Sequence, residues 1–369
     1  MALRDIIWKD VSEKEWLNPN WQIRNRLSGL KGLKALPFLK SIDTKRYEAL
    51  LNKYKWASTP YYLNLIDPSD EYDPIRTQVI PDLKEIEFTL SDSCPDPLLE
   101  NEYKPLPGLI HRYEDRVLLL VTNSCMSYCR HCNRKRAWKR PESISFDEKE
   151  INGIKSYLQS NLKIREVIIS GGDPLTLPIK KLEYLLYNLK QIKNIEVIRI
   201  GTRLPVVLPM AITNKLCKLL KKYRPIWLNT HFNHPKEITK EAKKAIEKIL
   251  LCGIPISNQT VLLKGVNDNL NTLRTLFYSL QKIMVRPYYL FQCDHVSGVD
   301  HFRVPLSKGI EIMNKLWGNM SGLCMPSFVA DLPEGLGKAR LLSSHLLELH
   351  KDEAFFSTFE GKIIRVKST

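Results

Sequence analysis

Three cysteines spaced Cys125-x3-Cys129-x2-Cys132 form the densest group of potential ligands in the chain. Thiolates select soft metal centres such as iron–sulfur clusters, and the plainer alternative is zinc. A structural zinc site needs four ligands, usually in paired spacing. No second C-x2-C is present, and His131, wedged beside Cys132, has little freedom to reach the same metal. Three thiolates on a 4Fe–4S cluster would leave one iron open, which suits a centre that binds and reduces something.

Other residues are suggestive in chemistry and weak one by one. Gly171-Gly172-Asp173 reads either as a plain tight turn or as a place where backbone approaches a ligand closely. His231 and Gln259 are polar groups in or after apolar runs, where a satisfied core group is the commoner outcome. Lys338 ends Pro333-Glu-Gly-Leu-Gly-Lys338. The plain reading is a solvated lysine; the sharper one is an amine that holds a cofactor aldehyde. Arg112 and Arg116, with Tyr113 between them, are either surface groups or donors to a phosphate. Asp294 and Asp331 follow the apolar runs Tyr288–Phe291 and Phe328–Ala330. Each alone is a turn former; together in a pocket they would receive an ammonium group.

Most of these residues fall where one periodicity gives way to another. Short apolar runs alternate with helical patterns from Arg116 onward: Val117–Thr122, Glu166–Ser170, Ile195–Ile200, Ile226–Asn229, Ile254–Leu263 and Arg286–Phe291. Six strands interleaved with helices, the first being Asp147–Asn161, build parallel βαβ units. Reactive residues at strand ends match the active-site end of a parallel barrel. Before residue 110 the pattern is helical and irregular. Helical spacing covers Glu13–Leu30 and Thr44–Trp56, and six prolines from Pro60 to Pro97 then interrupt the chain.

The 369 residues, 43% hydrophobic, suffice for a large core. A formal charge of +16 is spread along the chain, so solvated faces come before a nucleic-acid surface. Eight cysteines in this length are not a disulfide scaffold, and fit a reducing cytoplasm. The N-terminus lacks the pattern of a signal peptide. No uncharged run reaches the roughly 20 residues of a membrane helix.

The cysteine motif followed by Arg134-Lys135-Arg136 resembles radical S-adenosylmethionine enzymes, specifically lysine 2,3-aminomutases. Pro60-Tyr-Tyr-Leu-Asn-Leu-Ile-Asp-Pro, Ser170-Gly-Gly-Asp-Pro-Leu, Gly201-Thr-Arg-Leu-Pro-Val-Val, Thr230-His-Phe-Asn-His-Pro-Lys and Phe355 to Arg365 resemble family blocks too, over nearly the whole chain. The resemblance implies an α/β fold, a partial parallel (β/α)6-type barrel. It would comprise a helical or irregular N-terminal region (1–110), a barrel core with a pyridoxal phosphate site (111–340) and a short C-terminal extension (341–369).

The resemblance also implies the site. Cys125, Cys129 and Cys132 would hold a 4Fe–4S cluster, and Gly171, Gly172, Asp173, His231 and Gln259 would line S-adenosylmethionine. Lys338 would hold pyridoxal 5′-phosphate, with Arg112, Tyr113 and Arg116 serving that cofactor. This lysine's run is poorer in glycine than the family's, with Glu334 and Leu336 intruding. Arg134 would take the substrate carboxylate, and Asp294 and Asp331 the side-chain ammonium of L-lysine. The implied reaction converts L-lysine to β-lysine through a 5′-deoxyadenosyl radical and a pyridoxal phosphate aldimine. Lysine destined for elongation factor P, or arginine, is the near alternative; an RNA-modifying radical enzyme is the distant one. The implied partners are a small-molecule substrate and a reductant such as flavodoxin or ferredoxin, with a homo-oligomer left open. Membrane and nucleic acid are not expected. Longer relatives bind zinc through a cysteine-rich tail; here the last cysteine is Cys324 and Asn269 stands about where a partner cysteine is expected, so no zinc is expected.

Overall fold

The computed structural model describes residues 2–138, 143–341, 345–350, 353–358 and 360–367. Among them nine strands form one open sheet in chain order. These are β1 (Leu109–Tyr113), β2 (Arg116–Leu120), β3 (Glu166–Ser170), β4 (Val197–Gly201), β5 (Ile226–Thr230), β6 (Ile256–Leu262), β7 (Arg286–Gln292), β8 (Ser327–Asp331) and β9 (Lys338–Arg340). Strands β2 to β8 pair in parallel, while β1 and β9 run antiparallel along the two edges. Leu118 near one edge and Asp331 near the other line the same cavity, so the sheet curls into an incomplete barrel around it.

The strands alternate as their sequences do. In β3, Val167 and Ile169 are fully buried in the core, while Ile168 between them faces the cavity. In β4, Ile198 and Ile200 pack into the core while Arg199 and Gly201 line the cavity. The helices outside are amphipathic and capped. Glu148–Ser160 buries Ile151, Ile154 and Leu158, and its N-cap Asp147 accepts from the Glu150 amide at 2.8 Å. Asn269 caps Leu270–Lys282, accepting from the Thr272 amide at 2.9 Å.

Three expectations need correction. The parallel strands number seven, because Ser327–Asp331 joins the sheet beside β7. Its apolar core is only Phe328–Ala330, too short to stand out by periodicity. The second concerns Glu13–Leu30, which is not one helix. Pro19 has no amide hydrogen to continue a helix, and Asn18 caps a new one, Pro19–Arg24, through the Asn20 and Trp21 amides. The third concerns Thr44–Trp56: the helix ends at Lys53, and Ala57–Ser58 beyond it pairs with Leu27–Ser28 as a small antiparallel ladder.

The N-terminal residues share the barrel's core: Leu3, Trp16, Leu33 and Tyr62 belong to the same apolar cluster as Val167 and Leu228. After the barrel, Leu346–Leu349, Glu353–Ser357 and Ile363–Lys367 form an antiparallel sheet. Within the expected extension 341–369, residues 342–344, 351, 352, 359, 368 and 369 lie outside the described residues. No helix among the described residues is long and apolar enough to cross a membrane.

Candidate active site

All fifteen residues singled out above line one cavity of about 560 Å³. Its walls come from the loops after β2, β3, β4, β5 and β7, from Leu98, Glu100 and Tyr103 before β1, and from the inward side chains of the strands. Parallel strands point their C-terminal ends to one side, and loops there converge on a common space.

The cysteine loop leaves β2 and is stitched to the turn after β3. The Val121 amide donates to the Ser170 carbonyl at 3.0 Å, the Gly172 amide to Thr122 at 2.5 Å and the Asp173 amide to Ser124 at 2.8 Å. A side chain on Gly172 would collide with the Ser124 carbonyl, and one on Gly171, at φ +125°, with that of Thr122. The glycines are therefore required by the chain's own close approach, at a point that also faces the cavity. Asp173 is engaged within the protein. It accepts from the Thr202 hydroxyl at 2.6 Å and from the Leu175 and Arg203 amides at 3.1 and 2.8 Å, which joins the end of β3 to that of β4.

Cys125, Cys129 and Cys132 border the cavity. Burial, then the neighbouring thiolates, pushes the Cys125 and Cys132 thiols above their ordinary range. Arg203 Nη1 donates to Cys129 Sγ at 2.7 Å. His231 is held neutral, its pKa lowered to about 4 by burial and then by Arg203.

At the far side β8 and β9 face each other. Asp331 sits directly opposite Lys338, and Nζ reaches Asp331 Oδ1 at 2.5 Å, 5.1 Å from the Phe291 ring. Asp294 lies nearby, half-buried in the cavity wall. Burial, and next the Asp331 charge, raises its pKa to about 7, opposed by an Asn133 hydrogen bond and by Lys338 and Arg134. Arg112 Nε and Nη2 and the Tyr113 hydroxyl are buried in the cavity wall with no hydrogen-bond partner among the described residues. Arg116 lies over the Tyr113 ring at 4.0 Å and pairs with Asp115.

Sequence reasoning missed Glu100. Arg134 turns its Nε and Nη2 edge to that carboxylate at 3.0 and 2.6 Å, and Arg136 joins at 2.7 Å. Burial opposes ionisation of Glu100, but the two guanidiniums hold its pKa at about 2. Nothing in the proline-broken segment before β1 marks this glutamate. Arg203 does carry a signal, since it follows Gly201-Thr202 at a strand end.

The Radical SAM superfamily model matches residues 119–276. The chain is 45% identical over 363 residues to the L-lysine 2,3-aminomutase of Acetoanaerobium sticklandii, covering 98% of this chain and 87% of that protein. It is 44% identical to the L-lysine 2,3-aminomutase of Clostridium subterminale, over 97% of this chain and 85% of the relative. The glutamate 2,3-aminomutase of Clostridioides difficile is 40% identical, over 96% and 84%.

The chain belongs to the lysine 2,3-aminomutase family of radical SAM enzymes. Family membership brings a 4Fe–4S cluster, S-adenosylmethionine and pyridoxal phosphate as cofactors. The residues present fit them. Among the described residues the thiols do not converge as ligands of a lone ion would. Ligands of a multi-iron cluster bind different irons and need not. The Cys125 and Cys132 thiols, pushed toward protonation by desolvation and then by their neighbours, accommodate a cationic centre. The orphaned Arg112 and Tyr113 donors are what an incoming phosphate would satisfy. His231 and Gln259 border the same space as the cysteines.

Proposed function

We propose that this aminomutase acts on L-lysine, moving the amino group from C2 to C3. The observation that carries the choice of substrate is the pair Asp294 and Asp331 beside Lys338 in the cavity. When bound, the cluster with S-adenosylmethionine would supply a carbon radical that abstracts hydrogen, and pyridoxal phosphate would supply a conjugated ring that delocalises the unpaired electron while nitrogen moves between the two substrate carbons.

The chain's own residues bind, orient and exclude water. Cys125, Cys129 and Cys132 would hold the cluster, and His231 and Gln259 with the Gly171-Gly172 turn would border S-adenosylmethionine. Lys338 would carry pyridoxal phosphate, with Arg112, Tyr113 and Arg116 around its phosphate end. In the structure Asp331 Oδ1 holds the Lys338 ammonium; a substrate ammonium replaces that partner once the lysine amine is engaged elsewhere. Arg134, steadied by Glu100, presents its guanidinium to the substrate carboxylate. Two acids suit a cationic side chain and repel a glutamate side chain. The electron is supplied by a small donor protein such as flavodoxin or ferredoxin, and the eight free cysteines suit the reducing cytoplasm.

Anaerobic turnover of L-lysine, L-arginine and L-glutamate by the reconstituted protein tests this reading. Lysine is expected to give the highest kcat/KM, and preference for glutamate overturns the argument. Lys338→Ala is expected to lose the pyridoxal label retained on the protein after borohydride treatment; an undiminished label moves the cofactor lysine elsewhere.

A further inference from the structure

Arg203 stands out as a buried cation with no role in the reading above. It is 8% exposed, and its planar group is committed at every nitrogen. Nε donates to the His231 carbonyl at 3.1 Å. Nη2 donates to Tyr62, Gln78 and Glu237 at 2.9, 2.7 and 2.5 Å. Nη1 is left for Cys129 Sγ, at 2.7 Å. Glu237, fully buried, is fixed in turn: Oε1 accepts from Tyr62 at 2.6 Å, and Oε2 from the Asn233 and His234 amides at 2.6 and 3.1 Å. Arg26 also reaches this loop, donating to the Cys125 carbonyl at 2.8 Å.

A charged donor aimed at a cluster-ligand sulfur stabilises the reduced, more negative cluster and so raises its potential. A carboxylate that neutralises the donor does the reverse. In a site with little water both effects are strong. We propose that Arg203 tunes the reduction potential of the cluster through Cys129, and that Glu237 sets how far its charge is felt. Arg203 eases electron entry; Glu237 keeps the cluster low enough in potential to remain a strong reductant. The proposal rests on Cys129 being a cluster ligand. Tyr62 and Gln78, from the N-terminal region, then act as positioning residues that keep the guanidinium from turning away.

The test is an EPR-monitored redox titration of the anaerobically reconstituted enzyme and its variants. Glu237→Gln is expected to move the midpoint to a more positive value, and Arg203→Gln to a more negative one. Arg203→Gln leaves Glu237 buried without its cation, so the double variant Arg203→Gln/Glu237→Gln provides a version with no orphaned charge. Its midpoint is expected below that of Glu237→Gln. A merely structural role would broaden or abolish the signal in all variants without opposite shifts. An unchanged or negative shift in Glu237→Gln, or a double variant not below it, overturns the proposal. A wild-type protein that binds no 4Fe–4S cluster overturns the assignment of Cys129, and the proposal with it.

Discussion

Asp294 carries the clearest residue-level consequence. A carboxyl with its pKa raised to about 7 is protonated below that pH and ionised above it. The lysine ammonium is recognised by the ionised form. Productive binding is therefore expected to weaken as pH falls through 7, by up to about tenfold in kcat/KM per pH unit. Profiles from pH 6 to 8.5 check this, and Asp294→Asn is expected to bind lysine poorly with no inflection near 7. A wild-type profile flat across that range removes Asp294 from substrate recognition. Glu100 bears on the opposite end of the substrate. Its carboxylate fixes one edge of Arg134, leaving the remaining guanidinium to face the cavity. Glu100→Gln is expected to raise KM for lysine several-fold while leaving the affinity for 1,5-diaminopentane, which has no carboxylate, unchanged. Equal losses for both ligands would make Glu100 a structural residue only.

At the scale of elements, the strand ends decide what meets what. The six parallel strands β2 to β7 were legible because short apolar runs ending at polar or glycine residues alternate with helical patterns. The edges were less so. Strand β9 is three residues long with polar ends, and β1 reads as two apolar residues followed by polar ones, so their places depend on pairing rather than pattern. Pairing is nevertheless what sets Lys338 opposite Asp331. The Gly171-Gly172 turn shows the same limit. Composition left open whether its glycines serve a ligand or a turn; the structure shows them against Thr122 and Ser124 at the entry to the cysteine loop. Gly172→Ala is expected to cost about 1–3 kcal/mol of stability, as overpacking does, and to lower iron incorporation. Thermal unfolding and iron content measure it, and full iron content at wild-type Tm would show that the loop can move aside.

The whole molecule is held together around the same loop. Residues 130–136 carry Arg130, Arg134, Lys135 and Arg136, and the N-terminal region answers with two buried carboxylates. Glu85 pairs with Arg130 at 2.6 Å and Lys135 at 2.8 Å, and Glu100 with Arg134 and Arg136. Lys135 also donates to the Gly298 carbonyl at 2.5 Å, tying in the segment after β7. The basic run was visible in the sequence, but its acids lie 34 to 50 residues upstream on segments with no pattern of their own. Burial works against ionised Glu85, yet the two cations hold its pKa at about 2 instead of 4.5. A folded-state pKa below the unfolded one stabilises the fold above the unfolded value, and that stabilisation is lost as pH falls from about 4.5 toward 2. For Glu85 it is on the order of 3 kcal/mol. Glu85→Gln is expected to lower stability at pH 7 by about 3–5 kcal/mol, because two buried cations lose their partner. It is also expected to flatten the acid limb of the stability curve between pH 4.5 and 2. Urea unfolding across that range measures both. A variant that loses stability at pH 7 but keeps the wild-type acid slope would show that the N-terminal region is fastened to the cysteine loop by packing alone.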